Sequence, residues 1–550
     1  MEILSCENLT FSYKGSKNEC LKNISFCIDK GSFNLIMGRS GCGKTTLLKL
    51  LKKEISPCGN MNGKIKISLN DNTPFSIGFV MQDPNDQTVT DTVMSELCFG
   101  LENMGISNSE INCRVAETVS FFGIEDLTDR DISTLSGGQK QLVNLCAVMT
   151  MQPEILILDE PTGQLDPVSA TNFLNTVLRL NTELGITVII AEHNCEELFS
   201  VSDKILVMDN GELISSDRPC DSVLNTALWK DKTCMLPTAS QLWINSRKKS
   251  VCCPLTVKEG KEFIDNNFDH TVAEPTISAA DKSVVLSCSD LWFRYEKNSP
   301  DIIKGADFNL FKGEIFTLLG SNGVGKSTFL KVIGGLAKAY SGKIKIKGKN
   351  IKAFKNGSLH KGLIGFLPQD PYDMFIKETV KDDFDFVQNA LGKTDSSLTD
   401  SLCEKFEITH LLERHPFDLS GGEAQKCAIV RLLISEPEII LMDEPVKGMD
   451  ADNYYETAML MKKLRSDGIS ILAVTHNIEF SAEISDRCGM FFNGKVISAD
   501  SPEKFFCSNK FYTTYARRIT NGKFENAVTT RQAISCIKKS EEDDNEKRQN

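Results

Sequence analysis

The property that most constrains this chain is that it is written twice. Six chemically distinctive residues recur in one order at nearly constant separation: Tyr13 and Tyr295 are 282 apart, Lys44 and Lys326 282, Gln82 and Gln369 287, Ser136 and Ser420 284, Glu160 and Glu444 284, and His193 and His476 283. Solenoid repeats run at roughly 20 to 50 residues, so a period this long marks a duplicated domain. A chain of 550 residues also exceeds what one hydrophobic core supports. The reading places one domain at 1–230 and a second at 284–515, joined by a connector at 231–283. Within the connector, Thr256-Val257-Lys258-Glu259 fits a capping box ahead of Phe263-Ile264, which predicts a helical segment. The end of the chain, Glu541 to Arg548, is charged and lacks apolar residues, which predicts a disordered tail over 523–550.

Composition excludes several classes. No stretch reaches the roughly 18 apolar residues of a membrane-spanning helix, and runs such as Thr187 to Ala191 suit buried strands. Any membrane role therefore falls to partners. The first residues, Met1 to Cys6, lack the basic and long apolar regions of a secretory signal, which predicts a cytoplasmic location. Nineteen cysteines are scattered without a Cys-x-x-Cys pair, the pattern of reduced thiols and not of a zinc or disulfide framework. A net charge of -12 argues against a general nucleic-acid binder, and no nucleic acid is expected as a partner.

Two glycine-rich segments carry the chemistry. Gly38-Arg39-Ser40-Gly41-Cys42-Gly43-Lys44-Thr45-Thr46 follows the apolar run Phe33 to Met37 and precedes Leu47-Leu48, a strand-to-helix context. Gly320-Ser321-Asn322-Gly323-Val324-Gly325-Lys326-Ser327-Thr328 follows Ile315 to Leu319 in the same way. Glycines there let successive backbone N–H groups point at phosphates, the lysine reaches the outer phosphates, and the Thr45 or Ser327 hydroxyl can ligate Mg²⁺. ATP and Mg²⁺ are the expected cofactors.

Ile155 to Leu158 and Ile439 to Met442 read as buried parallel strands, each ending in adjacent acids, Asp159-Glu160 and Asp443-Glu444. Phosphoryl transfer to water needs a metal organiser and a group that orients the water. That assigns Asp159 and Asp443 to the metal, and Glu160 and Glu444 to the water.

Leu135-Ser136-Gly137-Gly138-Gln139 and Leu419-Ser420-Gly421-Gly422-Glu423 resemble the signature motif of ABC ATPases, and each lies between a glycine-rich segment and an acid-ended strand. The resemblance implies an α/β fold: two P-loop NTPase domains of ABC type, each with a RecA-like core, an antiparallel β subdomain and a helical signature subdomain. It implies that Tyr13 and Tyr295 stack on adenine, although Tyr13 taken alone reads as a strand residue packed on a core. Gln82 and Gln369 would sense Mg²⁺ and nucleotide, and His193 and His476 would hold the γ-phosphate and attacking water. It further implies an intramolecular cassette dimer with two composite sites, each signature serving the other half's nucleotide, and Asp166 and Asp450 as the D-loop acids.

Finer details narrow the resemblance. Gln82 to Gln87 with Cys98 to Asn103, Leu367 to Pro371, Asp443 to Asp450, and Leu236-Pro237 with Pro254 to Val257 are similar to energy-coupling factor importer ATPases. These imply a transmembrane coupling subunit, a small membrane subunit that captures a vitamin or transition-metal ion, and a place on the cytoplasmic face of the membrane. The missing basic residues predict unequal halves, with Leu142 and Ala147 where the second half has Lys426 and Arg431. Val446 in place of a common threonine and Glu423 in place of glutamine remove no phosphate donor or metal ligand, so two hydrolytic sites are expected. Cys42 reads either as a small tolerated residue or as an oxidation-sensitive thiol. Two rival readings are an ATPase of another nutrient importer, such as one for sugars, and a soluble ABC ATPase acting on ribosomes or DNA. The intact second glycine segment opposes the first rival. The second should show a charged helical linker or a metal-binding insertion, and none is present in the sequence.

Overall fold

The computed structural model describes residues 1–16, 18–69, 76–193, 195–225, 229, 233–248, 253–273, 281–354, 357–393, 395–449 and 451–549. The chain divides into two compact units, Met1–Asn267 and Phe268–Asn550.

In the first unit, β1 (Glu2–Tyr13) pairs antiparallel with β2 (Leu21–Asp29) and β4 (Gly59–Ile67). Alternating exposure along β2 is what a sheet with one face on a core requires. The central sheet is built from β3 (Phe33–Gly38), β5 (Ile77–Val80), β6 (Ile155–Asp159), β7 (Thr187–Ala191), β8 (Lys204–Asp209) and β9 (Glu212–Asp217), in the order β5-β6-β7-β3-β8-β9. All its pairings are parallel except β8 with β9. The strands β3, β6 and β7 are buried along their whole length, which explains their continuous apolar runs. Register places Ile36 and Asp159 each beside Ala191, so these strands finish together at one sheet edge. That edge is where an open α/β sheet places ligands. The helices Val93–Asn103, Asn108–Phe122 and Gly137–Thr150 enclose their own core around Leu97, Val115 and Val143.

The second unit repeats this plan. After β10 (Thr271–Val272) come β11 (Asp281–Phe293), β12 (Ile303–Lys312), β13 (Ile315–Leu319), β14 (Ser341–Ile346), β15 (Lys349–Asn350), β16 (Ile364–Leu367), β17 (Ile439–Asp443), β18 (Ser470–Thr475), β19 (Arg487–Phe492), β20 (Lys495–Asp500) and β21 (Phe524–Glu525). The antiparallel sheet runs β12-β11-β14-β15, one strand more than in the first unit, and the central one runs β16-β17-β18-β13-β19-β20, strand for strand the order of the first unit.

The helical segment expected in the connector is present with its capping box, whereas the connector's grouping with the first unit and the order of the expected disordered tail differ from the sequence reading. Residues 233–267 belong to the first unit and form the helices Thr238–Ile244 and Val257–Asn267. Residues 530–549 form one helix, Thr530–Gln549, with Ala533, Cys536 and Ile537 buried. The acidic run hid this helix, because its apolar residues lie one turn upstream at three- and four-residue spacing. The two segments are copies of one helical module. Thr256 and Glu259 form a capping box in which Glu259 accepts from Leu255 N (2.8 Å) and Thr256 N (3.1 Å). Thr529 and Gln532 repeat it, with Gln532 accepting from Val528 N and Thr529 N, each at 3.0 Å. The duplication therefore extends past the cassettes to the appended modules. Residues 274–280 of the expected connector lie outside the described residues.

Candidate functional site

In the first unit, the chain leaves β3 through the glycine segment and enters the helix Lys44–Leu51 at Gly43, whose φ of 103° is left-handed. That backbone conformation is strained for any residue with a Cβ, so glycine is favoured there. The turn brings Lys44 back over the segment, where its ammonium donates to Gly38 O (2.9 Å) and Arg39 O (3.3 Å) and lies 3.4 Å from Glu160 Oε1. Thr45 Oγ1 donates to Asp159 Oδ1 at 3.1 Å. Cys42 is buried, and burial pushes its thiol up despite the pull of Lys44, so it is a protonated filler and a poor target for oxidation.

Glu160 is the hub. It follows β6 with φ 45°, a strained conformation for a residue with a side chain, and Glu444 repeats it at 48°. Its Oε2 accepts from Gln82 Nε2 (2.9 Å), and its Oε1 lies 2.8 Å from His193 Nε2. Burial alone would raise this carboxyl, but the hydrogen-bonded His193 and the neighbouring Lys44 together hold it below its ordinary value. Glu160 is thus an anion at neutral pH. Its neighbour Asp159 is pushed up to about 6 by burial, with the Thr45 hydrogen bond opposing the rise. The Asp159 and Thr45 oxygens converge at one point of low solvation, and a divalent cation there would favour the ionised carboxylate. The donor set of carboxylate and hydroxyl fits Mg²⁺.

The second unit builds the same site. Lys326 donates to Gly320 O (2.8 Å) and Ser321 O (3.0 Å) and lies 3.7 Å from Glu444. Ser327 Oγ donates to Asp443 Oδ1 at 2.9 Å. Burial raises the Asp443 carboxyl, whereas His476 and Lys326 overcome burial and lower Glu444. A cavity of about 250 Å³ opens here between Asn322, Lys326, Gln369, Glu444 and His476. Sequence reasoning missed Lys447, which lines this cavity where the first half has Gly163.

The remaining sequence candidates fall around these hubs. Tyr13 and Tyr295 share hydrogen bonds with the hydroxyls of Thr46 (2.8 Å) and Thr328 (3.1 Å), which fixes each ring beside its glycine segment. The rings are 42% and 64% exposed, leaving a face available to a flat base. Ser136 caps the helix Gly137–Thr150 in a capping box with Gln139, and Ser420 caps Gly421–Leu433 in one with Glu423. The replacement of glutamine by Glu423 therefore preserves the cap. Gly138 and Gly422 occupy the first turns, where N–H groups lack helical partners. Asp166 caps the helix Pro167–Leu184 and accepts from Ser169 Oγ at 2.7 Å. Asp450 lies outside the described residues.

Comparison with known proteins decides the family. The ABC transporter family profile matches residues 21–163 and 303–447, more than half of the chain. The chain belongs to the ABC transporter family. It is an ATPase subunit of that family with two cassettes in tandem, and its fold is that of two P-loop NTPase domains. A Bacillus cereus protein provisionally named an ABC transporter ATP-binding protein is 39% identical over 531 residues, 95% of this chain and 96% of that protein. A Bacillus subtilis (strain 168) protein provisionally named HMP/thiamine import ATP-binding protein YkoD is 30% identical over 520 residues, 92% of each chain. Among solved structures, archaeal ribosome recycling factor aABCE1, in complex with the ribosomal stalk protein aP1, matches with a TM-score of 0.57. That match has 20% identity, covers 91% of this chain and 92% of that one, and is a likeness of fold. No described helix of this ABC ATPase is long and apolar enough to cross a membrane.

Two features of the site were not read from the sequence. Glu192, just before His193, is buried and accepts from Thr162 N (2.9 Å), Thr162 Oγ1 (2.6 Å) and His193 N (3.2 Å). Glu196, one turn further, accepts from Thr238 N (2.7 Å) at the start of the appended module, and Glu479 accepts from Tyr515 N (2.8 Å) in the second half. The sequence signal for the latter was an acid three residues after each histidine.

Proposed function

We propose that this chain is the ATP-hydrolysing subunit of a membrane importer of energy-coupling factor type, acting from the cytoplasmic face through a transmembrane coupling subunit. A small membrane subunit would supply the solute, a vitamin or a transition-metal ion. The observation that carries this reading is the similarity over 92% of both chains to a Bacillus subtilis protein whose provisional name describes an import ATPase. The motifs around Gln82 and Gln369 support it.

In this reading Mg²⁺, when bound, screens the phosphate charge that grows in the transition state. Lys44 and Lys326 hold the outer phosphates, and exchange their carbonyl and glutamate contacts for them. Thr45 with Asp159, and Ser327 with Asp443, hold the metal, with Gln82 and Gln369 beside it. The anionic carboxylates of Glu160 and Glu444 orient water and accept its proton, and His193 and His476 hold the glutamates in place and face the γ-phosphate. Ser40, Gly41, Asn322 and Gly323 supply backbone and side-chain donors to the phosphates, and Tyr13 and Tyr295 stack on the base. Each signature, Ser136-Gly137-Gly138 and Ser420-Gly421-Gly422, completes the nucleotide site of the other cassette, with Asp166 and Asp450 as the D-loop acids.

Purification of the chain from detergent-solubilised membranes tests the transport assignment. Recovery with integral membrane proteins, among them a small solute-binding one, is the expected outcome. Recovery with ribosomes or DNA-bound proteins alone would sink it, and recovery with a larger permease and no small subunit would favour another class of nutrient importer.

A further inference from the structure

The two sites hold their histidines differently. In the second half, Glu444 Oε2 accepts from the His476 backbone N–H (3.2 Å), and ring Nδ1 of the same histidine lies 3.0 Å from that oxygen. In the first half, the His193 backbone N–H goes to Glu192 Oε2 (3.2 Å), which leaves Glu160 free to accept from Gln82 and to contact His193 Nε2. The other oxygen of Glu192 takes the backbone N–H and the hydroxyl of Thr162, two residues after Glu160. One buried carboxylate therefore ties the loop after β6 to the loop after β7. The second half has Val446 in place of Thr162 and Thr475 in place of Glu192, so neither end of this link is present there. Thr475 Oγ1 instead accepts from Asn477 N at 3.0 Å.

A carboxylate only 3% exposed is costly to bury, and one held by three donors on two loops fixes both loops at once. We infer that Glu192 is a positioning residue for hydrolysis at the first site: it sets the separation of Glu160 from His193 while leaving Glu160 its contacts with Gln82 and the imidazole. The second site reaches its geometry through the direct Glu444–His476 link. The two sites thus differ in how the water-orienting carboxylate is held, although their phosphate and metal residues match. The inference rests on the proposed roles of Glu160 and His193 in hydrolysis.

The test uses the full chain with its copurified membrane partners and compares Glu192→Gln, Glu192→Ala and Thr162→Val. Glutamine keeps an oxygen for Thr162 and loses only the acceptor for the His193 N–H, whereas alanine loses every bond. With Glu444→Gln added to every chain, its Glu192 form serving as wild type, turnover reports the first site alone; the expected result is a graded fall in kcat, about threefold for Glu192→Gln and about tenfold or more for Glu192→Ala, with KM for ATP changed by less than about twofold. Thr162→Val falls between wild type and Glu192→Ala. Thermal unfolding reads the purely structural contribution. A kcat for Glu192→Gln and Glu192→Ala equal to wild type overturns the inference, as does a KM rise at constant kcat. The paired substitution Glu160→Gln with Glu444→Gln is the control: hydrolysis that survives it refutes the catalytic assignment itself, which separates that failure from a failure of the Glu192 role.

Discussion

The Glu196 carboxyl is pushed up to about 7 by burial, against the pull of the Thr238 hydrogen bonds. In the unfolded chain the same group titrates near 4.5. Its contribution to stability is therefore fully present below about pH 4.5 and is lost as pH rises through about 7, because above that the buried group must be ionised. Both Thr238 donors meet the same oxygen, so glutamine can accept both. Glu196→Gln should remove this pH dependence and stabilise the chain at pH 8 by on the order of 1 kcal/mol after allowance for partial solvent access. Urea unfolding at pH 5 and pH 8 checks it: an equal wild-type-to-mutant difference at both values would refute the assignment. At this scale the sequence was most legible where chemistry restricts the residue, as at Lys44, Asp159 and Glu160. It was least legible at Glu192 and Glu196, whose roles depend on which loop lies opposite.

Between elements, the halves diverge under the signature helices. In the second half, Arg431 on the helix Gly421–Leu433 forms an ion pair with the fully buried Asp383 on the helix Val380–Ala390, whose other oxygen accepts from Ile376 N at 3.1 Å. In the first half, Ala147 replaces the arginine, and Glu96 instead accepts from Val89 N (3.1 Å), Thr90 N (2.8 Å) and Thr90 Oγ1 (2.9 Å). At the Ala147 and Arg431 positions, the missing basic residue is thus a change of partner for one buried acid. Arg431→Ala should destabilise the second half by roughly 3 kcal/mol because it strands Asp383. Arg431→Met with Asp383→Asn should recover most of that loss in denaturant unfolding. The cap at Ser420 gives a milder prediction. Glu423→Gln should change stability by less than about 0.5 kcal/mol, since Gln139 makes the same cap, whereas Glu423→Ala should cost about 1 kcal/mol. The buried strands were legible because a parallel sheet covered on both faces leaves continuous apolar runs. The last helix was not, because its buried residues are few and its charged end dominates the composition.

For the molecule as a whole, the duplicated unit is a cassette with a helical module attached to the segment beyond the histidine, not a cassette alone. The capping box at Thr256 was read from the sequence and the matching one at Thr529 was not; their equivalence showed only once each was seen beside its own cassette. A chain cut at residue 230 removes buried Leu242, Trp243, Phe263 and Ile264 together with the Thr238 partner of Glu196. It should therefore be far less soluble than one cut at residue 267, as gel filtration of the two fragments would reveal. In the proposed mechanism both halves carry a working water-orienting glutamate. The most direct measurement is ATP turnover by the full chain with its membrane partners, before and after Glu160→Gln combined with Glu444→Gln. A loss of at least about 100-fold with the partners retained is the predicted result. Turnover that persists near the wild-type rate would contradict it.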